Sequence, residues 1–176
     1  MNKLYLTQKQ RRALLKWVLY SLVLVFLSVL QDVLLCRMDI FGATTELVPC
    51  GIFLICLLEG LETGSVFSLI ASCLYLFSGS AAGNHSIVLI TAISIFVTFL
   101  RQSYLQSGWG AAVLCTLLAM LLYELSVFAL GLFFGQTYLR RIGVFALTAL
   151  LSTVAAPLLY AIFQSIGKIG GQTWKE

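Results

Sequence analysis

Histidine occurs once in this sequence, at position 85, and proline only twice. A single histidine leaves no two-histidine metal site and removes the usual general base of a nucleophile–histidine–acid triad. There is no Gly-x-Ser-x-Gly, no His-Glu-x-x-His and no glycine-rich phosphate loop. The chain is therefore read as non-enzymatic, with no catalytic, cofactor-binding or metal-binding residues. Charge is also scarce. Only 10% of residues are Asp, Glu, Lys or Arg, against roughly 25% in a soluble domain. The five cysteines, Cys36, Cys50, Cys56, Cys73 and Cys115, are scattered through apolar runs with no Cys-x-x-Cys pair. They read as small buried hydrophobes, not as a disulfide framework. No low-complexity segment and no long polar block is left over from which to build a soluble domain.

What fills the chain is apolar sequence: 60% hydrophobic residues and a mean hydropathy of +1.00. Apolar runs recur along nearly all 176 residues, which predicts an all-α polytopic transmembrane bundle, since lipid leaves no backbone group unpaired outside a helix. Six spans are expected: about Trp17–Cys36, Leu47–Leu58, Thr63–Phe77, Ser86–Leu105, Gly110–Phe134 and Ile142–Ile166. The second and third are short, fitting a tight hairpin, two short helices or a re-entrant pair. The chain thus divides into a basic N-terminal segment (1–16), a membrane bundle (17–166) and a short tail (167–176). The N-terminus has a basic and then an apolar region, but the run is too long for a cleaved signal and is read as a retained helix.

The net charge of +4 is concentrated. Lys3, Lys9, Arg11, Arg12 and Lys16 all precede the first apolar run. Beside a membrane segment this is a topological anchor that favours anionic lipid, not a nucleic-acid patch. With six spans and the N-terminus inside, the cytoplasmic side holds eight basic residues, these five with Arg101, Lys168 and Lys175, against three outside: Arg37, Arg140 and Arg141. A re-entrant second span gives seven against four. Six spans with both termini cytoplasmic fits better.

Three features stand out inside the apolar runs. In "EGLETGSVFSLIAS", Gly60, Gly64, Ser68 and Ser72 recur every four residues, a small-residue stripe that lets two helices approach closely, either within the bundle or with another protein. In "MLLYELSVFALG", Tyr123 is followed by Glu124, and the next charged residue is Arg140. A carboxylate at membrane depth costs about 2.5–3.5 kcal/mol on insertion scales, so Glu124 must face the bundle or a partner. It can serve as a hydrogen-bond hub for Ser94, Thr98, Arg101, Ser152 or Thr153, as a contact to another protein, or as a proton or cation site. As a hub it would fix which helices meet, and leucine in its place would lose that pairing. Third, Pro157 in "TVAAPLLYAIF" should kink the last helix. The outer loops offer Asp39, Phe41, Glu46, Asn84 and His85, and "SGSAAGNHS" is the most loop-like stretch.

In linear order, "VLQDVLL", "IFGATTELVP", "GLETGSVFSLIASCLYLFSG", "LLYELSVFALGLFFG" and "APLLYAIF" cover most of residues 29–168. In that order and spacing they resemble the MreD family, small integral membrane proteins of the bacterial cell-wall elongation machinery. Tyr123, Glu124 and Pro157 match the family pattern. Thr45, Glu46 and Leu47 stand where the family tends to have Pro-Asp-Leu, and the family's aspartate after the glycine ladder is missing, so no role is carried over for it. The resemblance implies a scaffold in the bacterial plasma membrane, supporting cell shape. It implies binding to an MreC-like membrane protein and, through it, coupling of MreB filaments to RodA and a class B penicillin-binding protein during peptidoglycan synthesis. It also implies a bundle similar to the substrate-binding subunits of energy-coupling-factor transporters. The alternative function is therefore a substrate-binding membrane subunit for a vitamin or metal ion, its pocket capped by the 37–46 and 78–86 loops.

Overall fold

A computed structural model describes residues 8–33, 35, 42–104 and 108–169. Asp39 and Phe41 of the expected outer cap lie outside the described residues. The chain is all-α. Helix α1 spans Gln8–Val33, α2 Leu47–Glu59, α3 Leu61–Phe77, α4 His85–Tyr104 and α5 Trp109–Phe133. A 3₁₀ turn at Leu139–Arg141 leads into α6, Ile142–Val154, and α7, Ala156–Ile169. Helices α1, α4 and α5 are long and apolar enough to cross a membrane, and the α6–α7 pair makes a fourth if taken as one bent span.

The first helix starts well before Trp17, at Gln8. Arg11, Arg12 and Lys16 are good helix formers, so the helix runs on past the apolar run that hydropathy detects. The last apolar run is two helices bent by 45°. Pro157 lacks an N–H, and its ring crowds the carbonyl four residues back. The chain answers with a turn at Ala155, whose N–H bonds to the Ser152 carbonyl at 3.3 Å.

The centre of the bundle is the short α2. Its residues Leu47 to Leu57 are all buried, and each of the other six helices packs against it. Lipid is as apolar as leucine, so this burial is held by close packing and by polar contacts at the helix ends, not by exclusion of water. At the start of α2, the Leu47 and Val48 amides donate to Gln31 Oε1 on α1, at 2.9 and 3.1 Å. The Glu46 amide donates to Ser152 Oγ on α6 at 2.8 Å. These are amides that a helix N-terminus leaves without intrahelical partners. At the other end, Arg101 on α4 donates to the Leu57 carbonyl at 3.0 Å, a cation on the negative end of the helix.

The turn into α3 requires Gly60, at φ +87°, a left-handed conformation that glycine adopts without strain. It places α3 directly against α2. A Cβ on Gly64 would lie 2.9 Å from both the Cα and the carbonyl oxygen of Cys56. Gly64, Ser68 and Ser72 are all buried, and Ser72 Oγ lies 3.4 Å from Thr91 Oγ1 on α4. The small-residue stripe thus packs inside this bundle, with Gly60 in the turn and the other three on the helix.

Substituting Gly64 tests this contact. Gly64→Leu puts side-chain atoms where the backbone of α2 stands, and overpacking of this kind costs about 1–3 kcal/mol or more. A clear fall in the melting temperature of the detergent-solubilised protein is expected, measured by intrinsic fluorescence, with Ser65→Leu on the less buried side as the control.

Candidate functional site: a buried polar cluster

Polar side chains gather at both ends of α2, and the two ends differ. At the Glu59 end the charges are matched. Lys16 Nζ donates to Glu59 Oε2 at 2.5 Å, with both side chains only 4% exposed. Tyr20 on α1 donates to Glu59 Oε1 at 2.8 Å. Rings enclose the group: Trp17 and Phe163 both meet Tyr20 in near edge-to-face contacts, with centroids 5.8 and 5.9 Å apart. A buried ion pair of this kind does more to fix which helices meet than to stabilise the fold, and removing one partner strands the other. Lys16→Met should therefore cost about 3–5 kcal/mol, seen as a large drop in melting temperature that Glu59→Gln in the same chain partly recovers.

At the Glu46 end no ion pair occurs among the described residues. Glu46, half-buried just before α2, accepts a hydrogen bond from the Tyr75 hydroxyl of α3 at 3.4 Å. That hydroxyl also donates to the Ser80 carbonyl at 3.2 Å, and Ser80 Oγ donates to the exposed Asp32. Tyr123 on α5, fully buried against Phe53 with ring centroids 6.3 Å apart, sits 3.5 Å from Ser86 Oγ at the start of α4. Next to it on α5, Glu124 is 3% exposed, and its Oε1 is buried with no hydrogen-bond partner among the described residues. Glu46 and Tyr75 are thus joined by a hydrogen bond, while Tyr123 and Glu124 are buried neighbours along α5.

The five residues expected to pair with Glu124 turn elsewhere. Thr98 donates to Cys56 Sγ at 3.5 Å. Ser152 and Thr153 bond back to the carbonyls of Thr148 and Ala149, both at 2.7 Å. Ser94 Oγ is itself buried without a partner, and Arg101 binds at the opposite end of α2. His85, the first residue of α4, packs its ring against Gly83, with Nε2 buried and unpartnered. Sequence reasoning singled out Glu46 and the Tyr123–Glu124 pair but not Tyr75, which bonds to Glu46. Its signal lay three residues beyond Ser72, one turn further along the buried face of the same helix. Among the described residues no three of His, Cys, Asp and Glu come together as a metal would require. No protein-family model, curated protein or solved structure matches the chain.

Two consequences are measurable. A buried polar atom without a partner costs about 1–3 kcal/mol, so in low-salt detergent solution Glu124→Leu should melt no lower than the parent and by this reckoning higher. That reverses the expectation for a structural hub, and a large loss of stability would restore it. Burial also pushes the Glu46 carboxyl up from its ordinary 4.5 to about 7, with the Tyr75 hydrogen bond pulling the other way. Folding then favours the protonated form. Stability should be highest below the ordinary value and decline as pH rises from there through about 7. Glu46→Gln should flatten that part of the melting-temperature profile.

Proposed function

We propose that the chain is a non-enzymatic scaffold of the bacterial cell-wall elongation machinery, crossing the plasma membrane six times with both termini cytoplasmic. It binds an MreC-like membrane protein and so helps couple MreB filaments to RodA and a class B penicillin-binding protein. The family resemblance supplies the partner's identity. The observation that carries the reading is the groove between α1 and α3. It has a volume of about 320 Å³ and is lined by Ser21, Val25 and Ser28 of α1 and by Ile70, Leu74 and Phe77 of α3. Helix α1 is the least buried of the three long apolar helices, with Leu22 and Phe26 each 62% exposed. Small hydroxyl residues one heptad apart beside large apolar ones suit a second membrane helix, which gains close packing and a hydrogen-bonding edge that lipid does not offer.

The Glu46 end supports a second reading, the substrate-binding subunit of a transporter, because convergent buried polar groups are what a small-molecule site needs. Affinity purification of the full chain from native membranes in mild detergent separates the two. The scaffold reading expects an MreC-like protein together with RodA or a penicillin-binding protein, recovered at a several-fold lower level with Ser28→Trp, which fills the groove. A pair of ATPases with a coupling membrane subunit would overturn it in favour of the second reading.

A further inference from the structure

We propose that the turn joining α5 to α6, residues 133–142, is a binding surface for the headgroups of anionic phospholipid. Arg140 and Arg141 take the phosphate, and Phe133, Phe134 and Tyr138 sit among the lipids around it. The inference does not depend on the scaffold reading. It needs only that α5 crosses the membrane, which its length and apolarity allow.

Depth comes first. Helix α5 has 25 residues, about 37 Å of helix. The hydrocarbon core is about 30 Å thick, and an average tilt shortens the helix by only ~2 Å. Its ends therefore reach the headgroup layer, and the turn that follows Phe133 lies there. Phe133 and Tyr138 are 84% and 77% exposed, among the most exposed large side chains of the protein, and Phe134 and Leu139 are exposed beside them. Facing water, such a patch is a liability. At a membrane interface it is where aromatic rings are favoured.

The backbone fixes how the rings are presented. The Phe134 and Gly135 amides donate to the carbonyls of Leu130 and Leu132, at 2.9 and 3.1 Å. The Gln136 and Thr137 amides both donate to the Gly131 carbonyl, at 2.8 and 3.2 Å. Gly135, at φ +69°, makes the left-handed step that ends the helix. Thr137 then closes on Gly131, where a Cβ would stand 2.9 Å from its Oγ1. The rings of Phe133 and Phe134 meet edge to face, with centroids 5.6 Å apart. The surface is thus built before any lipid arrives.

Charge identifies the occupant. Arg140 and Arg141 are both exposed on the 3₁₀ turn. Neither forms an ion pair among the described residues, and the sequence has no Asp or Glu between Glu124 and Glu176. Two consecutive guanidinium groups at headgroup depth suit phosphate, which arginine grips through paired N–H bonds. The rings favour a lipid over a free anion, because they gain only where headgroups meet acyl chains.

The test uses the purified full chain in lipid-free detergent, carrying Arg11→Gln and Arg12→Gln so that these arginines at the basic end of α1 do not contribute. Binding of phosphatidylglycerol and of phosphatidylcholine with the same acyl chains is measured by native mass spectrometry. Phosphatidylglycerol with a photoreactive headgroup locates the site. The surface predicts tighter binding of phosphatidylglycerol and label on residues 133–142. Each basic residue beside an anionic headgroup strengthens attachment ~5-fold, so Arg140→Gln with Arg141→Gln should weaken phosphatidylglycerol binding ~10-fold or more. Lysine at both positions should retain most of it, and Tyr138→Ser should weaken both lipids alike. All three positions are exposed, so the variants should melt with the parent before lipid is added. Equal binding of the two lipids, or phosphatidylglycerol binding unchanged by the glutamines, would overturn the proposal. Displacement by inorganic phosphate at matching concentration would make the site one for a free anion instead. Loss of a co-purifying membrane protein from the glutamine variant, with lipid binding unchanged, would make the turn a protein contact.

Discussion

A helix of 13 residues that every other helix touches sets the terms for the rest of this structure. Helix α2 is too short to bring its own polar termini to the membrane surface in the way α1 or α5 can, so its end groups must be satisfied inside the bundle. Each neighbour contributes what that requires. Gln31 of α1 and Ser152 of α6 receive the first amides, and Arg101 of α4 meets the Leu57 carbonyl. Gly60 and Gly64 let α3 fold back along the helix at backbone contact distance. The longer helices can then present large apolar residues outward, because the polar work is confined to the two ends of one internal helix.

The two ends carry this in opposite ways. Around Glu59 a lysine and a tyrosine complete the carboxylate, and aromatic rings seal it. Glu46 has no ion pair among the described residues, and Glu124 Oε1 on α5 has no hydrogen-bond partner there. The same folding constraint is thus met by an ion pair at one end and by neutral hydrogen-bonding side chains at the other.

Much of the fold could be read from hydropathy. The expected limits of the second to fifth apolar segments fall within two residues of the observed helices, because a helix in lipid begins and ends where apolar sequence does. The first and last segments differ for reasons that hydropathy does not measure. Basic residues continue α1 as helix beyond the apolar run, and Pro157 divides the final run in two. The stripe of small residues and the isolation of Glu124 were visible as patterns. What they meet was not, because contacts depend on which helix ends face each other. "VLQDVLL" reads as a helix end, and only the packing turns Gln31 into the cap of α2. Glu59 and Lys16 lie 43 residues apart and become partners only once α1 and α2 are aligned.

The central claim is that α2 is an internal helix that lipid does not reach. Its direct test is to reconstitute the protein with lipids bearing a photoreactive group in the acyl chain, irradiate, and map the labelled peptides by mass spectrometry. The account predicts label on α1 at Leu22 and Phe26 and on α3 at Ile70 and Leu74, with residues 47–59 unlabelled. Labelling of 47–59 at a level comparable to α1 would place α2 against lipid and contradict it.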